Sequence, residues 1–158
     1  MIIVLADIRS AHNVGSLFRT ADASGCTKLY LCGITPCPRD RFGRINPEIS
    51  KVALGAEEWL PWEHVRSCTH LLDRLKKEGY AILALEQSKN SIAYTKVRNP
   101  KKEWDKTVLV VGNEVDGLFR AILNRADSII EIPMYGKKES LNVAVAFGIV
   151  AFALRGSK

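Results

Sequence analysis

The sequence lacks the features of membrane-spanning and secreted proteins. A bilayer-spanning helix needs about 20 apolar residues, and the longest charge-free apolar segment near the C-terminus, Val143–Leu154, is shorter than that. The apolar segment Met1–Leu5 has neither a basic stretch before it nor a small-residue cleavage site after it, so no secretory signal is visible. We therefore expect a cytoplasmic protein that does not associate with a membrane.

The spacing of the cysteines does not match a metal site. The cysteines stand at positions 26, 32, 37 and 68, without a Cys-x-x-Cys pair. A zinc site made of Cys32, Cys37, Cys68 and His70 would have a Cys-x4-Cys and a Cys-x-His spacing, which matches known zinc-binding patterns poorly. We expect reduced thiols and no bound metal.

The glycine fingerprints of nucleotide-binding proteins are missing as well. The pattern GxGxxG occurs nowhere, which removes the main support for a standard dinucleotide site. Gly112 and Gly117 have the spacing of a Walker loop, but Leu118 and Phe119 stand where that loop needs Lys and Ser or Thr. ATP hydrolysis is therefore disfavoured.

The composition of the chain is that of one globular domain. Its 158 residues are 47% hydrophobic and 25% charged, values close to the average for soluble domains. Lys and Arg number 23 against 17 Asp and Glu, so the formal net charge is +6. This excess favours a polyanionic partner such as nucleic acid without requiring one.

Five short aliphatic or β-branched segments have the character of strands buried on both faces. They are Met1–Ala6, Leu29–Cys32, Tyr80–Leu85, Val108–Val111 and Ile129–Ile132. Between them, Val14, Leu17, Phe18 and Ala21 have helical spacing, and His70–Glu78 is a second helical segment that Gly79 ends. Because strand and helix alternate, the sequence predicts a single α/β domain with a mainly parallel sheet flanked by helices.

Two basic segments, Pro36–Pro47 and Ser88–Asp105, are predicted to be surface loops. Between positions 96 and 106, basic residues outnumber the two acidic ones. The basic residues are Lys96, Arg98, Lys101, Lys102 and Lys106. The alternatives are a solvated charged loop and a surface that contacts phosphate.

The first of three motifs, Asn13–Ala21, follows the first strand directly. Asn13 is predicted to cap the helix, and Gly15 to allow a ligand or a second backbone to come close. Arg19 lies on the face opposite the apolar stripe. It either pairs with Asp22 on the surface or contacts a ligand, because open α/β sheets bind ligands at the carboxyl ends of their strands.

The second motif, Val108–Leu118, is a strand that runs into a turn between two glycines. Glu114 lies in this turn. It is either an ordinary turn carboxylate or an acceptor of hydrogen bonds from a polar ligand.

The third motif, Ile132–Val143, precedes the apolar helix. Ser140 or Asn142 is expected to cap this helix, whose first N–H groups can receive a ligand. Because every face of the helix is apolar, we expect it to be buried against a second subunit.

Taken together, the motifs resemble those of the SpoU (TrmH-like) group of SPOUT RNA methyltransferases. The patterns N-x-G-x-x-x-R-[ST]-A, hhhG-x-E-x-x-G-L (h, aliphatic) and IPM-x-G-x3-SLNV occur in this order, and Lys51–Glu57 also resembles the group. The resemblance implies a dimeric SPOUT fold with a C-terminal trefoil knot. It also implies methyl transfer from S-adenosylmethionine (SAM) to a ribose 2′-hydroxyl of tRNA or rRNA, with S-adenosylhomocysteine as product.

The resemblance further implies the residues of the site. Leu85, Gly112, Ile132, Ser140 and Leu141 would form the SAM wall. Because these loops offer few side-chain donors, we expect them to hold SAM mostly through backbone groups, with Gly112 leaving the space that the cofactor needs. Arg19, Asn13, Glu114, Ser140 and Asn142 would form the catalytic set. We expect residues 1–158 to be the methyltransferase domain, without a separate RNA-binding domain. The alternatives are a non-catalytic RNA-binding protein on this fold and, less favoured, a nucleotide-binding oxidoreductase or NTPase.

Overall fold

The computed structural model describes residues 1–97 and 104–156. In these residues the strands are β1 (Ile2–Ala6), β2 (Lys28–Cys32), β3 (Trp62–Val65), β4 (Ala81–Leu85), β5 (Ile92–Ala93), β6 (Thr107–Val111) and β7 (Ser128–Glu131). The helices are α1 (Ala11–Ser24), α2 (Pro47–Ala53), α3 (Ala56–Trp59), α4 (Cys68–Lys77), α5 (Arg120–Leu123) and α6 (Val143–Arg155). The strands pair in parallel in the order β3-β2-β1-β6-β4-β7-β5, so the predicted α/β architecture is confirmed.

Strands β1 and β6 form the centre of the sheet. Every residue in both strands is buried, and the register places Ile3 between Leu29 and Leu109. Side chains alternate between the two faces of a strand. Ile3 therefore enters the core shared with α1, α2 and α6, whereas Ile2 and Val4 enter the core shared with α4 and α5. Helices on both faces explain why these strands are continuous apolar segments.

Helix α1 begins earlier than its motif predicted. Ser10 is the N-cap, and its Oγ accepts a hydrogen bond from the Asn13 N–H at 3.2 Å. The prediction that Asn13 caps this helix is therefore wrong, and the side-chain amide of Asn13 is left to make other contacts. A Cβ on Gly15 would lie 2.6 Å from the carbonyl oxygen of Ile49, so Gly15 allows α2, and not a ligand, to approach.

Several segments differ from the prediction. Strands β3 and β5 and helices α2 and α3 were not predicted, and β7 ends at Glu131, so Ile132 belongs to the following loop. Trp104 was placed in a surface loop. It is 4% exposed, and its indole N–H donates to the carbonyl of Gly25 at 3.3 Å. Contacts with Gly25, which follows α1, and with Arg155 at the end of α6 decide its position, and no local pattern reveals them.

The C-terminal helix α6 buries one face and exposes another. Its side chains Phe147, Val150, Ala151 and Leu154 are buried. Val145, Ile149 and Phe152 are 52%, 38% and 52% exposed. This chain alone therefore leaves an apolar stripe on α6 in contact with solvent.

Cys26, Cys32, Cys37 and Cys68 are free, and burial raises the pKa of the Cys26 and Cys37 thiols. Residues 1–97 and 104–156 contain no group of three or more His, Cys, Asp or Glu arranged to hold a metal ion. No helix in the same ranges has the length and apolar character to cross a membrane.

The carboxyl ends of all these parallel strands meet at one edge of the sheet. From β1 the chain proceeds outward through β2 and β3, whereas β6 and β4 lie on the other side of β1. The strand order therefore reverses between β1 and β6, which is where open α/β sheets bind ligands.

Later strands insert between earlier ones, β6 between β1 and β4 and β7 between β4 and β5. The trefoil knot stays a prediction.

Candidate active site

A cavity of about 610 Å³ opens at this carboxyl edge. Its walls come from the loops that follow β4, β6 and β7 and from the first turn of α1. Eight of the nine predicted site residues line it, namely Asn13, Leu85, Gly112, Glu114, Ile132, Ser140, Leu141 and Asn142. Its volume lies in the range of small-molecule sites, roughly 300–1,000 Å³. The fold thus brings together residues from all three motifs.

The three motifs are joined by a chain of hydrogen bonds. The Asn13 amide Nδ2 donates to Glu114 Oε1 at 2.8 Å. Its Oδ1 accepts from Asn142 Nδ2 at 3.0 Å. Asn142 in turn caps α6, because its Oδ1 accepts from the Ala144 N–H at 2.9 Å. Of the two capping candidates, Asn142 is the cap, and Ser140 lies on the cavity wall.

Glu114 fastens the turn after β6 to the start of α1. Its carboxylate also accepts the N–H groups of Arg9 at 3.0 Å and Ser10 at 3.2 Å. Desolvation raises the pKa of Glu114, but the hydrogen bonds from Arg9, Asn13 and Ser10 outweigh it and leave the pKa below its ordinary value. The carboxylate is therefore charged at neutral pH.

The turn between the two glycines is packed against itself. A Cβ on Gly112 would lie 2.6 Å from the carbonyl carbon of Gly117. Gly117 has a φ of 66°, and a Cβ there would collide with the Glu86 carboxylate. That carboxylate accepts the Leu118 N–H at 2.8 Å. The expectation that Gly112 leaves space for a ligand is therefore wrong, because the turn's own backbone fills that space.

Sequence reasoning missed the acidic character of the cavity. Glu86, Asp116, Glu131 and Glu139 line it together with Glu114, and none of the described lining residues is Lys, Arg or His. Glu86 directly follows β4, and Glu131 is the last residue of β7. Both residues therefore lie at the carboxyl end of a strand. The same position pointed to the predicted site residues, so this signal could also have identified Glu86 and Glu131.

Two loops that face the cavity are also tied to each other. Gln87 Nε2 donates to the carbonyl of Glu139, and Ser91 Oγ donates to Glu131 Oε2 at 2.7 Å. The loop after β4 and the loop after β7 therefore form one continuous wall.

Arg19 is the predicted site residue that the fold does not bring to the cavity. Its side chain is exposed on α1, opposite the buried Val14, Leu17, Phe18 and Ala21, as predicted. The proposed surface pair with Asp22 is absent from the described part, where Asp22 instead accepts the Trp59 indole N–H at 3.0 Å. Arg19 is thus available to another molecule.

The basic loop after β2 is partly neutralised. Arg39 pairs with Glu58 and Arg44 with Asp40, each at 2.7 Å. Arg41 has no carboxylate partner among residues 1–97 and 104–156. In the second predicted basic loop, Lys96 is exposed. Arg98, Lys101 and Lys102 lie outside the described residues.

Comparisons with known proteins give a consistent result. The model of the SpoU rRNA Methylase family matches residues 1–152. The 23S rRNA (guanosine-2'-O-)-methyltransferase of Neisseria meningitidis is 34% identical over 150 residues, which are 95% of this chain and 56% of that protein. The tRNA (guanosine(18)-2'-O)-methyltransferase of Aquifex aeolicus is 37% identical over 152 residues, which are 96% of this chain and 67% of that protein.

A solved structure extends the likeness to the fold. The AdoMet-bound rRNA methyltransferase from Sinorhizobium meliloti superimposes with a TM-score of 0.85 at 27% identity, over 98% of this chain and 55% of that one. The chain thus spans 56% to 67% of the length of the two curated relatives above.

Proposed function

Because this chain belongs to the SpoU rRNA methylase family, we propose that it is an enzyme that transfers a methyl group from SAM to a ribose 2′-hydroxyl of tRNA or rRNA. One observation carries the proposal, namely that five carboxylates and no basic side chain are found among the described residues that line the cavity. SAM carries a sulfonium and an ammonium group against one carboxylate, whereas ATP and NAD both carry negatively charged phosphate groups and a net negative charge. An acidic cavity attracts the first and repels the others.

The wall of the cavity suits a ligand with an apolar body and polar ends. Leu85, Ile132 and Leu141 are apolar residues of the cavity wall, and we expect the loops around Gly112 and Ser140 to hold SAM mostly through backbone N–H and C=O groups. Bound SAM supplies a methyl group that is already electrophilic because it is attached to a sulfonium. The protein is left with positioning the reactants and with stabilising the charge that develops on the ribose oxygen.

Glu114 acts by positioning. A general base works best when its pKa lies near the working pH, and the pKa of Glu114 is below the ordinary carboxylate value. The hydrogen bond that Glu114 accepts from Asn13, and the one that Asn13 accepts from Asn142, hold two amide groups in the wall of the cavity. We assign these amides, with the Ser140 hydroxyl, to orienting the substrate.

Arg19 reaches the reaction through a homodimer. Helix α1 packs against α6, where a Cβ on Gly148 would touch Thr20 at 3.4 Å. A second copy that covers Val145, Ile149 and Phe152 would lie beside α1, and we propose that its cavity then faces Arg19. There the guanidinium, which stays protonated at neutral pH, would stabilise the alkoxide and grip the neighbouring phosphate.

Calorimetric titration with SAM, NAD and ATP tests the cofactor assignment. We expect a clear binding signal with SAM alone, and a stronger signal with NAD or ATP would contradict the proposal. Transfer of labelled methyl from SAM to bulk tRNA and rRNA, resolved by the 2′-O-methylnucleoside formed, then separates an enzyme from a non-catalytic RNA-binding protein. We place this reaction in the cytoplasm, where tRNA and rRNA are modified.

Light scattering at micromolar concentration tests the dimer. The wild-type protein is expected at twice the chain mass, and Ile149→Glu, which puts a charge into the exposed stripe, at the mass of one chain with its methyl transfer lost. A wild-type monomer that methylates RNA would contradict the dimer.

A further inference from the structure

The loop after β2 carries an aromatic side chain into solvent at the same edge of the sheet as the cavity. Phe42 is 67% exposed, and Ile34 and Ile45 in this loop are 66% and 52% exposed. Strand β2 neighbours β1, which neighbours β6. The loop therefore leaves the sheet about 10 Å from the carboxyl end of β6.

The tip of this loop is held firmly although it faces water. Asp40 Oδ1 accepts the N–H groups of Phe42 at 2.8 Å and Arg44 at 2.9 Å, and its Oδ2 accepts Arg44 Nε at 2.7 Å. At the base of the loop, Arg39 donates to both carboxylate oxygens of Glu58 on α3, each at 2.7 Å. Phe42 is thus presented in a defined position, so a partner that binds it need not order the loop.

Two planar cations lie close to the ring. The guanidinium carbons of Arg41 and Arg44 lie 4.7 Å and 5.2 Å from the centre of the Phe42 ring. Arg44 is neutralised by its ion pair, whereas Arg41 has no carboxylate partner in the described ranges. An exposed aromatic ring beside unpaired positive charge is the combination with which proteins bind single-stranded nucleic acid, by stacking on bases and contacting phosphates.

We propose that Phe42 stacks on an unpaired base of the RNA substrate while Arg41 contacts the adjacent phosphate. This inference rests on the proposed methyl transfer to RNA, and it assigns the loop to holding the RNA and not to the chemical step. The side chains of Arg39 and Asp40 are the supports that keep the ring in place.

Fluorescence anisotropy with labelled oligoadenylate and with an abasic oligonucleotide of equal length tests the stacking. Phe42→Ala is expected to weaken oligoadenylate binding about fivefold to tenfold, the low end for base–aromatic stacking because the ring is exposed, and to leave abasic binding unchanged. Phe42→Trp should keep the wild-type affinity, whereas Phe42→Leu, apolar but not aromatic, should behave like alanine. Wild-type affinity in Phe42→Leu, or equal losses on both oligonucleotides, would overturn the inference.

Arg41→Ala tests the phosphate contact. It is expected to weaken binding of both oligonucleotides and to reduce the slope of log affinity against log salt by about 0.7, the value for one phosphate on a single strand. The matched control is Lys77→Ala, because Lys77 is exposed at the end of α4, on the opposite edge of the sheet. An effect as large in Lys77→Ala would show general charge attraction and overturn the contact.

Methyl-transfer kinetics with bulk RNA separate this inference from the proposed function. Phe42→Ala should raise KM for RNA while kcat and SAM affinity stay unchanged. If the wild-type protein methylates RNA and Phe42→Ala has the same KM, only the inference fails. If the wild-type protein neither methylates nor binds RNA, the proposed function fails and the inference with it. A change of chain mass in Phe42→Ala by light scattering would identify the loop as a protein contact and overturn the stacking role.

Discussion

Replacing Glu114 by alanine removes the carboxylate that joins two of the three motifs. In the wild-type protein it accepts the N–H groups of Arg9 and Ser10 at 3.0 and 3.2 Å and the amide of Asn13 at 2.8 Å. Without it the turn after β6 is no longer fastened to the start of α1, and Asn13 loses the partner that orients it. We expect a less stable protein and slower methyl transfer.

The loss of stability can be bounded from these contacts. A hydrogen bond to a charged acceptor contributes about 1.5–3 kcal/mol when buried. Glu114 is exposed, so water replaces part of each lost contact and screens the charge. We therefore expect the loss of the three hydrogen bonds to lower the free energy of unfolding by about 1–3 kcal/mol. This loss would lower the Tm of a domain of this size by roughly 3–10 °C.

Asp116 provides the matched control. It lies in the same turn and also lines the cavity, but its carboxylate makes no hydrogen bond or ion pair among residues 1–97 and 104–156. Asp116→Ala removes the same charge without removing the fastening, so its Tm should stay within about 1 °C of wild type, since isolated surface substitutions change stability little.

The assay is thermal unfolding followed by circular dichroism, with single-turnover methyl transfer measured in parallel. Glu114→Ala should melt several degrees below Asp116→Ala and transfer methyl more slowly. Equal melting temperatures for the two variants would refute the fastening role. Wild-type transfer in Glu114→Ala would refute the argument that Asn13 needs this partner.

Three further outcomes are expected. Arg19→Ala should slow single-turnover methyl transfer about a hundredfold to a thousandfold with unchanged SAM affinity and Tm, and Arg19→Lys nearly as much, because lysine lacks the planar two-pronged grip; a near-wild-type rate would contradict its role. Gly117→Ala should lower Tm and SAM affinity more than Gly79→Ala, because both have positive φ but only a Cβ at Gly117 meets the Glu86 carboxylate; equal melting temperatures would contradict this. The pKa of Glu114 is lowered in the fold. The stability that its charged form contributes is therefore fully present above the ordinary carboxyl pKa and is lost as the pH falls through the lowered pKa. The difference in Tm between wild type and Glu114→Gln should shrink over that acidic range of pH.

Much of the fold follows from local patterns. The strands β1, β4 and β6 are continuous apolar segments because helices cover both faces of the sheet, and the stripe from Val14 to Ala21 predicted the buried face of α1. Strands β3 and β5 escaped prediction because they are short and lie at the outer positions of the sheet, with side chains that are at most half-buried.

The sequence by itself indicated three of the segments that form the cavity, because three motifs each follow a strand and carry polar side chains at its carboxyl end. The loop after β4, which lines the cavity with Glu86 and Gln87, lies outside these motifs. It did not determine which side chains meet. Asn13 and Asn142 are 129 positions apart, and their hydrogen bond exists only because β1 and β6 are neighbours and α6 returns beside α1. In the same way the acidic lining brings together Glu86 and Asp116, from the loops after β4 and β6, and Glu131, from the end of β7. Contacts of this range depend on strand order, which periodicity and turn chemistry do not encode. Only the tertiary structure therefore decided that the cavity is acidic, and that Arg19 points away from it.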